Sequence, residues 1–159
     1  MKGALFLVAG LMIMGVLAAP APAEQGVSPR RCVFEHIALD VRDPAATAKW
    51  WVENLGFEVT RTSKEPPFTT FLVDGSGRMA VELYRAPDRA TAPDYAAKSP
   101  LELHLAFHAE DVDAEVKRLT AAGATLEKRE HAPGFEGAII RDPSGIALQF
   151  VKRAKSVLK

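Results

Sequence analysis

The sequence predicts an α+β domain built from two consecutive βαβββ modules. Three observations carry this. A His inside a short alternating strand occurs twice, as His36 and His104, and each is followed seven residues later by an Asp that opens a helix pattern, Asp43 and Asp111. Each helix pattern stops at a glycine, Gly56 and Gly123. Each closing strand then carries one polar residue, Glu82 and Gln149, at 46 and 45 residues beyond the His. One unit is therefore written twice, with a period of 67–68 residues.

Residues 1–23 are expected to lie outside this domain. Lys2 gives a positive start, Ala4–Ala19 is almost wholly apolar, and Ala21-Pro22-Ala23 offers small residues. That is the pattern of a secretory signal peptide cleaved after Ala23. The alternative is an uncleaved anchor, for which the run is short against the roughly 20 residues a spanning helix needs. The expected location is periplasmic or secreted, with no membrane association after cleavage. Residues 24–31, with Gly26 and Pro29, read as a flexible lead-in. The single domain then spans 32–153: module one 32–85, a linker 86–100, module two 101–153, and a basic tail 154–159.

Within module one, Cys32 to Val41 alternates as a strand, with Ile37, Leu39 and Val41 on one face and His36, Ala38 and Asp40 on the other. Asp43-Pro44 starts a helix, Asp as N-cap and Pro at the first helical position. Ala48, Trp51, Val52 and Leu55 supply its apolar stripe, and Gly56 ends it. Phe57–Thr62 and Phe68–Val73 read as strands. Asp74-Gly75-Ser76-Gly77 is a turn, and Met79–Tyr84 closes the unit with Met79, Val81 and Leu83 opposite Ala80, Glu82 and Tyr84.

The linker holds Pro87, Pro93 and Pro100 and no apolar period. The pattern then restarts. Leu101–Phe107 reads as a strand with His104, Ala106 and His108 on its polar face. Asp111 caps a helix whose stripe is Val112, Val116 and Leu119. Ala124–Lys128 and Gly137–Arg141 are strands, Asp142-Pro143-Ser144-Gly145 is the turn, and Ile146–Val151 closes the module.

Composition excludes several functions. The 20 basic and 20 acidic residues balance, so no basic face for nucleic acid is expected. With one cysteine, Cys32, no disulfide closes within the chain and no zinc-finger set exists.

The alternation assigns the polar residues to one side. In all four strands the long apolar residues share the face the helices must cover. The opposite face carries His36, Glu82, His104 and Gln149. Imidazole and carboxylate are first-choice ligands for zinc, nickel, manganese or ferrous iron. A lone inward His is more often a hydrogen-bonded structural residue. Here, however, polar residues recur at equivalent places of a repeat, for which packing offers no reason.

The segments EHIALDVRDPAATAKWW, VELY, LHLAFHAEDVDAEVKRLTAAGA and RDPSGIALQFV resemble the glyoxalase/bleomycin-resistance/extradiol-dioxygenase superfamily, the vicinal oxygen chelate fold, over about residues 33–153. The resemblance implies paired βαβββ modules forming a curved, cup-shaped sheet. It implies a divalent metal ion held by the first and last strands of each module, which here means His36, Glu82, His104 and Gln149. The family more often has Glu where this chain has Gln149. Members often form homodimers, sometimes exchanging units between chains.

The chemistry implied is chelation of a small-molecule substrate through neighbouring oxygens, with the metal as Lewis acid. The first expectation is an exported, metal-dependent lyase or isomerase of the glyoxalase type, with Glu82 as the catalytic base because Gln149 cannot accept a proton. Trp50, Phe71, Tyr84 and His108 are the candidate substrate-binding residues, although aromatic side chains at such spacings are more often core. The alternative is a metal-free binding protein of the bleomycin-resistance kind. A ring-cleaving dioxygenase ranks below both, since such enzymes commonly have longer chains.

Overall fold

The computed structural model describes residues 34–157. Its elements follow the repeat: β1 (His36–Asp40), α1 (Pro44–Leu55), β2 (Glu58–Thr62), β3 (Thr70–Val73), β4 (Ala80–Tyr84), then β5 (Leu105–His108), α2 (Val112–Ala121), β6 (Thr125–Ala132), β7 (Phe135–Arg141) and β8 (Ala147–Arg153). The expected signal peptide, lead-in and Cys32 lie outside the described residues.

Each module has its own four-stranded sheet, and the strand orders match: β1-β4-β3-β2 and β5-β8-β7-β6. The first and last strands of a module pair in parallel, β1 with β4 and β5 with β8, and the remaining pairs are antiparallel. A parallel neighbour cannot be reached through a tight turn, so the helix and hairpin between them form the connection. Even an irregularity is repeated. Register shifts between Val59 and Arg61 in β2, and between Leu126 and Lys128 in β6. Such bulges bend and twist a strand locally.

Both helices start as their caps require. Asp43 and Asp111 sit in extended conformation, and each Oδ1 accepts from the amide three residues on, Ala46 or Ala114, at 2.9 Å. Gly56 ends α1 at φ 71°, a left-handed conformation that glycine adopts at little cost.

The alternation decides burial. Val81 and Leu83 are buried while Ala80, Glu82 and Tyr84 between them are partly open. One contiguous core joins the modules, including Leu39, Trp51 and Leu72 from the first and Leu119, Ile140 and Leu148 from the second. The Phe57 and Phe107 rings meet edge to face across it at 6.2 Å. Two indole groups tie the modules together: Trp50 Nε1 donates to the Ala122 carbonyl at 2.8 Å, and Trp51 Nε1 to Asp142 Oδ2 at 2.8 Å.

Two expectations are corrected. Residues 101–103 are a turn rather than the start of β5, and Leu101 is 80 % exposed. Glu102 N bonds to Ser99 O instead of a neighbouring strand. β6 runs on to Ala132 and forms a hairpin with β7 around residues 133–134, so the polar run Arg129–Ala132 is strand. The linker is anchored, too. Arg141, only 8 % exposed, donates to the Tyr95, Lys98 and Gly145 carbonyls and pairs with Glu127. A buried guanidinium is tolerable only when its donors are satisfied in this way. Gly145 completes the contact: at φ +84°, a Cβ there would stand 2.9 Å from Ala96 N.

Candidate functional site

The strand face opposite the helices is organised around Phe71. Its ring meets His36 edge-on at 5.5 Å between centroids, and the Arg61 guanidinium lies 4.3 Å above it. The strand pairing explains this: Phe71 stands opposite Arg61 on β2 and opposite Glu82 on β4. Glu82 Oε2 lies 3.3 Å from His36 Nε2, with both side chains partly accessible, 23 % and 29 %. Arg61, Phe71 and Glu82 share a cavity of about 260 Å³ with Thr62, Ser63 and Thr69.

The His36 ring has a carboxylate on each side. Its Nδ1 is 2.7 Å from Glu35 Oε2. With the ring hydrogen donated to Glu35, a neutral imidazole turns its Nε2 lone pair toward Glu82. Two acceptors 3.3 Å apart repel unless a proton or another cation stands between them.

The equivalent face of module two carries His104, just ahead of β5, and Gln149 on β8. His104 Nδ1 lies 2.8 Å from the Pro100 carbonyl. A carbonyl can only accept, so Nδ1 carries the hydrogen and Nε2 keeps a free lone pair. Fixing one ring nitrogen on a carbonyl is how proteins orient a ligating imidazole. Gln149 Nε2 lies 3.4 Å from Glu130 Oε2, and Lys128 Nζ lies 2.7 Å from Glu130 Oε1. Lys128, and after it Gln149 and His104, hold the Glu130 carboxyl below its usual range.

The donor chemistry fits a divalent metal ion: two imidazoles held by Nδ1, a carboxylate and an amide oxygen. The placement within one chain does not gather them. Among the described residues no group of three or more His, Cys, Asp or Glu side chains is positioned to hold a metal. His36 and Glu82 adjoin each other, while His104 and Gln149 both lie beside Glu130.

The proposed substrate residues separate in the same manner. Phe71 adjoins the His36–Glu82 pair. Tyr84 is partly buried on the same face of β4, toward Asp40, its partner in the strand ladder. Trp50 lines a different cleft of about 750 Å³ between α1, the linker and the β7–β8 turn. His108, paired with Glu110 at 3.0 Å, borders a third, of about 570 Å³, at the start of α2. Arg61 adjoins Phe71 and Glu82, Glu130 adjoins Gln149, and neither follows from the sequence reading. One signal was available: Arg61 and Lys128 are basic residues at equivalent places just past the repeated bulge.

Two βαβββ modules of identical strand order, each carrying a polar pair on its open face, define a glyoxalase-like protein. The family model described as Glyoxalase-like domain matches residues 36–151, and the chain belongs to that family. Among solved structures, SMU.1112c is 28 % identical, with TM-score 0.59, covering 77 % of this chain and 100 % of that one. TnmS3, an antibiotic binding protein from Streptomyces sp. CB03234, is 18 % identical with TM-score 0.60, over 77 % of this chain and 97 % of that one. A superfamily member from Sphaerobacter thermophilus DSM 20745 is 22 % identical with TM-score 0.59, over 76 % and 96 %. No curated protein matches the chain.

Proposed function

We propose that this protein is an exported, homodimeric glyoxalase-type lyase or isomerase acting on a small oxygen-chelating molecule. Its site unites the His36–Glu82 half of one copy with the His104–Gln149 half of its partner. The single observation that carries this is the state of the two histidines: each Nδ1 is already engaged, by Glu35 or by Pro100, which leaves both Nε2 atoms available at equivalent positions of the repeat.

A divalent metal held by His36, Glu82, His104 and Gln149 would polarise a substrate oxygen as a Lewis acid. The chain's own residues supply the rest. Glu82 is the one carboxylate among the four and accepts the substrate proton. Phe71 and Arg61 form a flat, cationic wall that orients an electron-rich substrate beside it.

The test is metal content and mass in solution, on protein purified without a metal-binding tag. About one equivalent of metal per subunit in a dimer is expected, lost in His36→Ala and in Glu82→Ala. Mixing His36→Ala with His104→Ala subunits restores part of the binding, because one of the two sites in a mixed dimer is intact. No metal after incubation with zinc, nickel, manganese and ferrous iron refutes the lyase.

A second reading has its own support. The donors are not gathered within one chain, and TnmS3, of the same fold, is an antibiotic binding protein. On that reading the Phe71–Arg61 wall binds a small molecule without metal or turnover. Ligand binding that persists in metal-stripped protein distinguishes the two.

A further inference from the structure

The cavity that Trp50 lines is not on the strand face. It is the cleft of about 750 Å³ where module one, the linker and module two meet, well within the usual size of small-molecule sites. The repeat supplies an internal comparison. The equivalent cleft at the start of α2 has no linker across it and is rimmed by His108, Glu110, Glu115 and Arg118. The larger one has Trp50 in the place of Arg118, and linker residues 91–96 form one wall.

That wall is built rather than draped. The buried Arg141 grips the Tyr95 and Lys98 carbonyls, and Ala96 packs where Gly145 lacks a Cβ. A preformed wall spares a ligand the cost of ordering it. Inside, Thr47 Oγ1 and Ser144 Oγ meet at 2.6 Å across the module boundary. Thr47 has one hydroxyl hydrogen, and it goes to the Asp43 carbonyl at 2.9 Å. Ser144 is therefore the donor to Thr47, and its own oxygen still has lone pairs free to accept.

The remaining lining suits a flat, uncharged molecule. Trp50, Pro93, Tyr95 and Pro143 offer apolar surface, while the carboxylates of Asp43 and Asp94, beside Arg42, accept from the backbone amides of Ala46 and Ala97. Arg141 and Asp142 are committed to internal partners. We propose that this cleft is a second binding site, separate from the strand-face site, for a neutral hydroxyaromatic molecule whose ring packs on Trp50 and whose hydroxyl donates to Ser144.

The test uses 2-naphthol with isotope-labelled full chain. The two indole N–H resonances, Trp50 and Trp51, are followed with the backbone amides. Saturable shifts of the Trp50 indole and of the Thr47 and Ser144 amides are expected. Ala46→Phe, at an exposed α1 position lining the cleft, fills the space and weakens binding at least tenfold. Phe71→Ala leaves it unchanged. Retained cooperative unfolding shows that Ala46→Phe is folded. No shift up to the solubility of 2-naphthol overturns the proposal. So do shifts that map to His36 and Phe71 and survive Ala46→Phe.

Discussion

Trp50 donates to the carbonyl of Ala122 at 2.8 Å, and Arg118 donates to the carbonyl of Asn54 at 2.9 Å. Both donors stand seven residues beyond their helix N-cap, and both acceptors stand eleven beyond. Each helix thus satisfies a last-turn carbonyl of the other, a group with no partner in its own helix. An indole and a guanidinium perform the same task at equivalent places of the repeat.

Trp50→Phe and Arg118→Met should each lower stability by about 0.5–1.5 kcal/mol, the net worth of one such hydrogen bond. Leu119→Ala, in the shared core, should cost about 2–5 kcal/mol. Urea unfolding followed by circular dichroism checks both. One transition is expected in every variant, because the core does not divide between modules. Two separate transitions would refute that.

The N-caps give a paired test. Asp43→Ala and Asp111→Ala remove equivalent bonds of equal length, so each should cost about 1 kcal/mol. A large difference between the two midpoints would show that the capping roles have diverged.

Asp142 links stability to pH. Burial raises its pKa above the ordinary 3.8, against the hydrogen bonds from Trp51 and the turn amides. A raised folded-state value means the protonated acid is favoured in the fold. Its stabilising contribution is therefore complete below the unfolded value and is lost as pH rises through the folded one. Asp142→Asn has no such titration, so the stability of the native protein relative to this variant should fall over that rise. At neutral pH the variant should still be weaker by about 1–3 kcal/mol, since one amide oxygen cannot serve both Trp51 and the turn amides. Carbon-detected titration of the Asp142 carboxyl gives the midpoint directly. A midpoint at or below 3.8 would refute the argument.

Two glycines separate conformation from contact. Gly77 and Gly145 both have positive φ, but only Gly145 has a neighbour in the way of a Cβ. Gly77→Ala should cost about 1–2 kcal/mol, the left-handed penalty alone. Gly145→Ala should cost more and should speed hydrogen exchange around Ala96. Equal costs would show that the linker yields freely there.

The modules were legible because each structural task in the repeat needs a particular residue type. Asp43 and Asp111 cap, Gly56 and Gly123 stop helices, and alternation placed His36 and Glu82 on the open face. What escaped was set by tertiary contacts. Leu101 and Leu103 alternate as a strand would, yet His104 turns back to Pro100 and the chain bends. Arg129–Ala132 carries no apolar period, but pairing with β7 makes it strand. Convergence was the least legible feature. Strand period decides a residue's face, whereas bringing two faces together depends on how modules pack, and no residue spacing encodes that.

The grip of Arg141 on the Tyr95 and Lys98 carbonyls moves the true seam of the molecule. By sequence the linker is neutral ground between two halves. By attachment the backbone of its second half belongs to module two. A peptide tag or protease site should be accepted just before Thr91. The same insertion between Tyr95 and Lys98 would pull a buried cation off its acceptors. The joint between the copies has become a component of one of them.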